Sequence, residues 1–183
     1  MSSPLIDLIE TENLLIKNAS MSECSKLQDI CSSWTTRASL EGIIFDEDYI
    51  YNCLTVGDLP PIDDSSIDNY FLKSIYLKNP KQLIGFFDIY LGYPTPDILW
   101  LSVFLLDKDF QSKGYGREAV AGLINSTSQT DFNQIAFSVH LKNWKALRFW
   151  IKAGFDKILD VYGDKVLKEN SFSLITLEYT LEK

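Results

Sequence analysis

Apolar and polar residues change their spacing along this chain, and the changes separate strands from helices. Alternation at residues 13–17 predicts a first strand. Over 21–33 the apolar residues Leu27, Ile30 and Cys31, continued by Trp34, fall on one side of a helix that Ser20 or Ser22 can cap. Residues 35–66 follow no period apart from a short helix near 47–54, and Asp58-Leu59-Pro60-Pro61 and Asp63-Asp64-Ser65-Ser66 are loop signals. Two apolar runs, 69–77 and 83–91, flank the turn 78–82 and predict an antiparallel hairpin. A third run, 98–106, follows Gly92-Tyr93-Pro94-Thr95-Pro96-Asp97. A helix over 115–128, a strand over 134–141 and a helix over 143–153 come next. Runs at 155–162 and 171–181 predict a closing antiparallel pair. No repeat, low-complexity segment or linker interrupts this order, so one domain over 1–183 is expected, an α/β chain with a mixed sheet flanked by helices.

The corner between 98–106 and 115–128 carries the densest chemistry. Gln111-Ser112-Lys113-Gly114-Tyr115-Gly116 leads into Arg117. Glycines let backbone approach a ligand with no Cβ in the way. The first N–H groups of a helix lack intrahelical partners, and with the helix dipole they favour an anion such as a phosphate. Lys113 and Arg117 add cationic side chains at the same place. The ligand should therefore be anionic. Gly114-Tyr115-Gly116-Arg117-Glu118-Ala119 also fits the dinucleotide fingerprint G-x-G-x-x-G/A. That fingerprint normally starts at a strand end, whereas residues 107–113 intervene here, and the acidic ribose ligand about twenty residues on is absent, since Asp131 reads as loop. The plainest alternative is a helix entry whose glycines serve only the turn.

A second motif follows the strand at 134–141. Asn143-Trp144-Lys145-Ala146-Leu147-Arg148-Phe149-Trp150 begins with a good N-cap, and Gly154 is placed as the helix stop before Phe155. Read alone this is an ordinary capped helix. The two motifs in this order, Q-x-x-G-x-G and then N-x-x-A-x-x-F-W-x-x-x-G-F, resemble the GNAT superfamily of N-acetyltransferases. The likeness runs from Glu12 to Leu181, with sharp matches confined to about 98–155.

That resemblance implies a twisted, mostly antiparallel sheet of six to seven strands, whose two central parallel strands, 98–106 and 134–141, splay apart around acetyl-CoA. Backbone groups of Phe104, Leu105 and Leu106 would pair with the pantetheine arm. Gln111, Ser112, Lys113, Gly114, Tyr115, Gly116 and Arg117 would form the pyrophosphate corner. Asn143 would bind the pantetheine region, and Phe149 and Trp150 would line the thioester. An amine would attack the acetyl carbonyl directly in a ternary complex, which needs a base, an oxyanion donor and an acid for the leaving thiolate.

The proton-handling positions depart from the family's pattern. Trp150 stands where many members have a tyrosine acid, and its indole N–H does not serve as one. Trp100 and Ser138 stand where others carry a glutamate base. His140, the only histidine, is the remaining candidate base; it shares a strand face with Ser138, and its unperturbed pKa of about 6.5 suits the task. A surface histidine at a strand end is the competing reading. Water held by Ser102, Ser138 and Tyr93 is another route for the proton. Glu41, Asp46, Glu47 and Asp48 would bind a cationic amine, or simply form a solvated acidic loop. The aromatic run Phe86, Phe87, Tyr90, Tyr93, Trp100 and Phe104 is core, with an apolar substrate slot as the other use of the same strands.

Composition narrows the setting. With 183 residues and 46% hydrophobic content the chain can bury a sizeable core. It has no apolar run long enough to cross a bilayer and no basic-then-apolar leader in MSSPLIDLIE. Three cysteines, Cys24, Cys31 and Cys53, form no metal spacing, and with one histidine no metal site is expected. A reducing cytoplasm suits them. The net charge of −8 disfavours nucleic acid; it would attract a cationic amine, or reflect solubility alone. Three functions follow: acetylation of a small-molecule amine, acetylation of a protein N-terminus as in the ribosomal-protein branch, or acyl-CoA binding without catalysis. The aromatic hairpins and the final strand pair could also support a homodimer.

Overall fold

The computed structural model describes residues 7–166 and 168–182. Residues 1–6, part of the segment read above for a leader, lie outside that set. Eight strands form one sheet in the order β1-β2-β3-β4-β5-β6-β8-β7. They are β1 (Leu8–Glu10), β2 (Leu14–Asn18), β3 (Tyr70–Leu77), β4 (Gln82–Leu91), β5 (Ile98–Leu106), β6 (Gln134–His140), β7 (Lys157–Gly163) and β8 (Ser173–Thr180). Five α-helices accompany them: α1 (Cys24–Ser33), α2 (Arg37–Glu41), α3 (Tyr49–Thr55), α4 (Tyr115–Thr127) and α5 (Trp144–Lys152). Every neighbouring pair is antiparallel except β5 and β6.

The apolar spacing sends each helix to one face of the sheet. Ala119, Val120 and Leu123 of α4 and Leu147 and Trp150 of α5 join Leu99, Leu101, Ile135 and Phe137 in one buried cluster. Leu27, Ile30 and Cys31 of α1 and Ile50 and Cys53 of α3 join Tyr70, Leu72, Phe86 and Tyr90 in another. Burial of this apolar surface from both sides drives the fold.

The sheet has one strand more than the six to seven expected. β1 is three residues long and buries only Ile9, which is too little to show a period. α2 was also unforeseen. It spans one turn and buries nothing; an Arg37–Glu41 ion pair at 3.1 Å and Gly42 in the left-handed region bound it. Phe155, read as the start of a strand, is instead fully buried between α5 and β7, with its ring 5.2 Å from Trp150 and 5.1 Å from Phe137. The strand itself begins at Lys157.

Topology sets up the site at the centre. β5 and β6 pair only at Ile98–Gln134, Leu99–Ile135 and Trp100–Ala136. Beyond that point they separate, although both strands continue, so the sheet opens into a V.

Candidate functional site

Three connected hollows follow the opening. The first, about 560 Å³, lies between the end of β5, the loop into α4, the start of α5 and the α1–α2 corner. The second, about 230 Å³, sits where the strands part, under Trp34, Arg37 and Glu41. It shares Phe104, Asn143 and Trp150 with the first. The third, about 940 Å³, runs from there over β5, β6 and β8 toward β7, and shares Trp100, Ser102 and Ser138 with the second.

The loop into α4 has the chemistry of an anion seat. Ser112 takes a φ of 60° and Gly114 one of 94°, so the chain coils tightly before the helix. The backbone N–H groups of residues 112–117 meet no protein acceptor among the described residues. A Cβ at Gly114 would meet nothing within 4 Å, which leaves space against those amides. Gln111, Ser112, Gly114, Gly116 and Arg117 line the first hollow with Phe104, Leu105 and Leu106, and Tyr115 packs on Phe110. Lys113 is exposed, its Nζ 5.3 Å from the Phe110 ring. Gln111 steadies the corner: Nε2 donates to the Leu106 carbonyl at 2.9 Å, and Oε1 accepts from Lys145 Nζ at 2.9 Å. Glu118, in the first turn of α4, points away from the seat. Its carboxylate accepts from Thr11 Oγ1, the Asn13 N–H and Asn13 Nδ2. These donors satisfy the acid locally and pin α4 to the β1–β2 turn.

Aromatic rings wall the point of the V. Trp150 is buried 4.2 Å from Phe137 and 5.5 Å from Phe104, and Phe149 stacks on Phe104 at 6.1 Å. Asn143 is buried and doubly used: its Oδ1 accepts from the Ala146 N–H and its Nδ2 donates to Glu41.

His140 and Ser138 both face the second hollow. The Ser138 hydroxyl lies 2.9 Å from that of Thr176. His140 Nδ1 is buried without a protein partner among the described residues. Burial holds its imidazole below the ordinary 6.5; Glu41 pulls the other way, and Arg37 adds to the fall. Burial thus favours the neutral imidazole, the form that can accept a proton.

Of the acidic residues considered from sequence, Glu41 reaches the hollow, while Asp46, Glu47 and Asp48 are exposed and line none of the three. Tyr93 stands over Trp100 at 5.0 Å, with Asp58 and Asp160 also lining the third hollow. Trp34, read from sequence only as part of the apolar side of the first helix, and Arg37, which sequence reasoning did not reach, roof the second hollow. The segment of Arg37 has no period to read; its i,i+4 spacing to Glu41 was the available signal. Among the described residues no helix is long and apolar enough to cross a membrane, and the three cysteines are free thiols.

Comparison with known proteins bears on this geometry. A model described as the acetyltransferase (GNAT) family matches residues 31–155. A probable spermine N(1)-acetyltransferase of Bacillus subtilis subsp. natto is 29% identical over 115 residues, 58% of this chain and 74% of that protein. A GNAT-family acetyltransferase from Bacillus anthracis superposes with a TM-score of 0.71 at 15% identity, over 94% of this chain and 98% of that one. A ribosomal L7/L12 alpha-N-protein acetyltransferase in complex with coenzyme A gives 0.71 at 10% identity, over 95% and 98%. The structural likenesses show a shared fold. With the family match spanning both the opening strands and the loop into α4, the chain belongs to the GNAT family of acetyltransferases.

Proposed function

We propose that this enzyme transfers acetyl from acetyl-CoA to a primary amine of a small molecule by direct attack in a ternary complex. The observation that carries the reading is the continuous opening between β5 and β6, with an anion seat at one end and His140 with Glu41 at its narrow centre. The free N–H groups of residues 112–117, with Lys113 and Arg117, fit a diphosphate. The edge of β5 that β6 leaves unpaired, residues 104–106, suits the amides of a pantetheine arm, which would lie there as an added strand. Acetyl-CoA supplies an activated acyl carbonyl. Phe104, Phe149 and Trp150 exclude water from the point of the V. Asn143 organises the start of α5 and holds Glu41 in place. His140 takes the ammonium proton at its imidazole, and Ser138 orients the acceptor or a relaying water beside it.

The third hollow is the acceptor's route. Its rings, Tyr93, Trp100 and Tyr162, together with Asp58 and Asp160, suit an alkyl chain bearing cations. The relative named for spermine supports a linear polyamine as the first acceptor to try. The neighbour named as a ribosomal L7/L12 alpha-N-protein acetyltransferase supports a peptide N-terminus as the second. The free thiols favour a cytoplasmic setting. Calorimetry with acetyl-CoA, followed by thiol release with spermine, spermidine and short N-terminal peptides, tests the proposal. Binding together with polyamine-dependent thiol release is expected. Release with peptides alone would move the acceptor to protein N-termini, and an absence of acetyl-CoA binding would overturn the reading.

A further inference from the structure

Near the opening, β5 carries one residue more than β4. Phe87 pairs with Phe104 and Ile89 with Leu101, so Asp88 alone stands opposite Ser102 and Val103. Such a bulge bends the strand that holds it and sharpens its twist. It falls two residues beyond Trp100, the last β5 residue paired with β6. The bend thus lies where the V begins.

Asp88 is completely buried. Its Oδ1 accepts from the Val103 N–H at 2.6 Å, within the bulge, and its Oδ2 accepts from Tyr70 Oη at 2.9 Å. Among the described residues no lysine or arginine forms an ion pair with it. A buried carboxyl group without a cation is costly, and its β4 neighbours Phe86, Phe87, Ile89 and Tyr90 are all buried and mostly apolar. An apolar side chain would fill the space at lower cost but could not hold the Val103 amide.

We propose that Asp88 is a positioning residue for acetyl transfer: by holding the Val103 amide it fixes the β5 bulge, and so sets the width of the β5–β6 gap and the aim of residues 102–104 into it. It acts through β5 and touches no substrate. The inference rests on the gap being the acetyl-CoA site. The groups around Asp88 are Tyr70 from β3, Tyr49 and Cys53 from α3, Cys31 from α1 and Asp58 from the loop after α3, none of them cationic. Burial pushes its carboxyl up to about 7. Loss of that proton turns a neutral acceptor into a charged one and tightens the grip on Val103.

The test compares Asp88→Val, Asp88→Asn and Tyr70→Phe by acetyl-CoA calorimetry, steady-state kinetics with a working amine, and hydrogen exchange at the Val103 amide. In Asp88→Val we expect Val103 exchange to speed up and kcat to fall by about tenfold or more, with the amine KM within about threefold of wild type. Asp88→Asn keeps an oxygen for Val103, so it should recover most of kcat while losing any activity limb near pH 7. Tyr70→Phe leaves the Val103 bond in place and should stay within about threefold of wild type. A folded Asp88→Val protein with unchanged Val103 exchange or unchanged kcat would overturn the proposal. If Asp88→Val does not fold, Asp88→Asn decides: a loss of kcat with Val103 exchange unchanged, or faster Val103 exchange with kcat unchanged, overturns it. Wild-type protein that binds no acetyl-CoA would instead sink the proposed function, a result distinct from failure of the Val103 bond alone.

Discussion

Asn143 reaches across the second hollow to Glu41. Its Nδ2 donates to Glu41 Oε1 at 3.2 Å, while its Oδ1 accepts from the Ala146 N–H at 3.2 Å. The other Glu41 oxygen accepts from Arg37 Nε at 3.1 Å. One buried amide therefore caps α5 and ties the short α2 to it. Asn143→Ala removes both bonds and should cost about 1–2 kcal/mol, a fall in Tm of several degrees. Asn143→Ser retains a capping oxygen but cannot span to Glu41, so it should fall between the two. Equal losses in a thermal melt of both variants would show that the cap contributes nothing.

Gly114 tests the anion seat. Its φ of 94° makes any L-residue strained, but its Cβ would point into open space. Gly114→Ala should therefore fold, at a cost of about 1 kcal/mol. Gly114→Glu places a carboxylate against the free amides and should weaken acetyl-CoA binding by about a hundredfold with circular dichroism unchanged. Wild-type affinity in the folded Gly114→Glu protein would rule this loop out as the diphosphate site.

Those two residues were legible in the sequence because they stand in short motifs with fixed spacing. Most of the long strands and helices were legible because each carries buried residues at one period; β7, exposed throughout, shows only as a short apolar run. β1, with Ile9 alone turned inward, and α2, with no buried residue, give no such repeat. The Asp88–Val103 bond was hidden for a different cause. It depends on a one-residue mismatch between β4 and β5, and register is a property of two strands together, which neither run of apolar residues encodes separately. The contact between Glu41 and Asn143 joins residues about a hundred positions apart and likewise needs the folded chain.

His140 carries a pH prediction. Burial lowers its imidazole from the ordinary 6.5, so activity that needs the neutral ring should persist below that value and fail only as pH drops through the depressed one. The stability term has the same sign: it is complete above 6.5 and is lost as pH falls through the folded value, because the unfolded chain takes up the proton first. His140→Ala should reduce kcat/KM by about a hundredfold and remove that acid limb. An unchanged profile in His140→Ala on a working amine would assign the proton to a water held near Ser138 instead.

Glu118 separates stability from binding at the same helix end. Burial pushes its carboxyl up, but the donors Thr11 and Asn13 outweigh that and hold it below the ordinary 4.5. A depressed acid stabilises the fold above its unfolded value, and the contribution disappears as pH falls through the folded one. Glu118→Gln keeps one oxygen but turns an amide nitrogen toward one of three donors, so it should lose about 1 kcal/mol at pH 7. At acid pH, once the wild-type carboxyl has taken up its proton, the gap between the two proteins should shrink. Because Glu118 faces the β1–β2 turn and not the loop at 112–117, acetyl-CoA affinity should stay within about threefold of wild type. Urea melts at both pH values and calorimetry at pH 7 check the two halves. A large loss of affinity with no loss of stability would mean that this acid serves the ligand and not the β1–β2 turn.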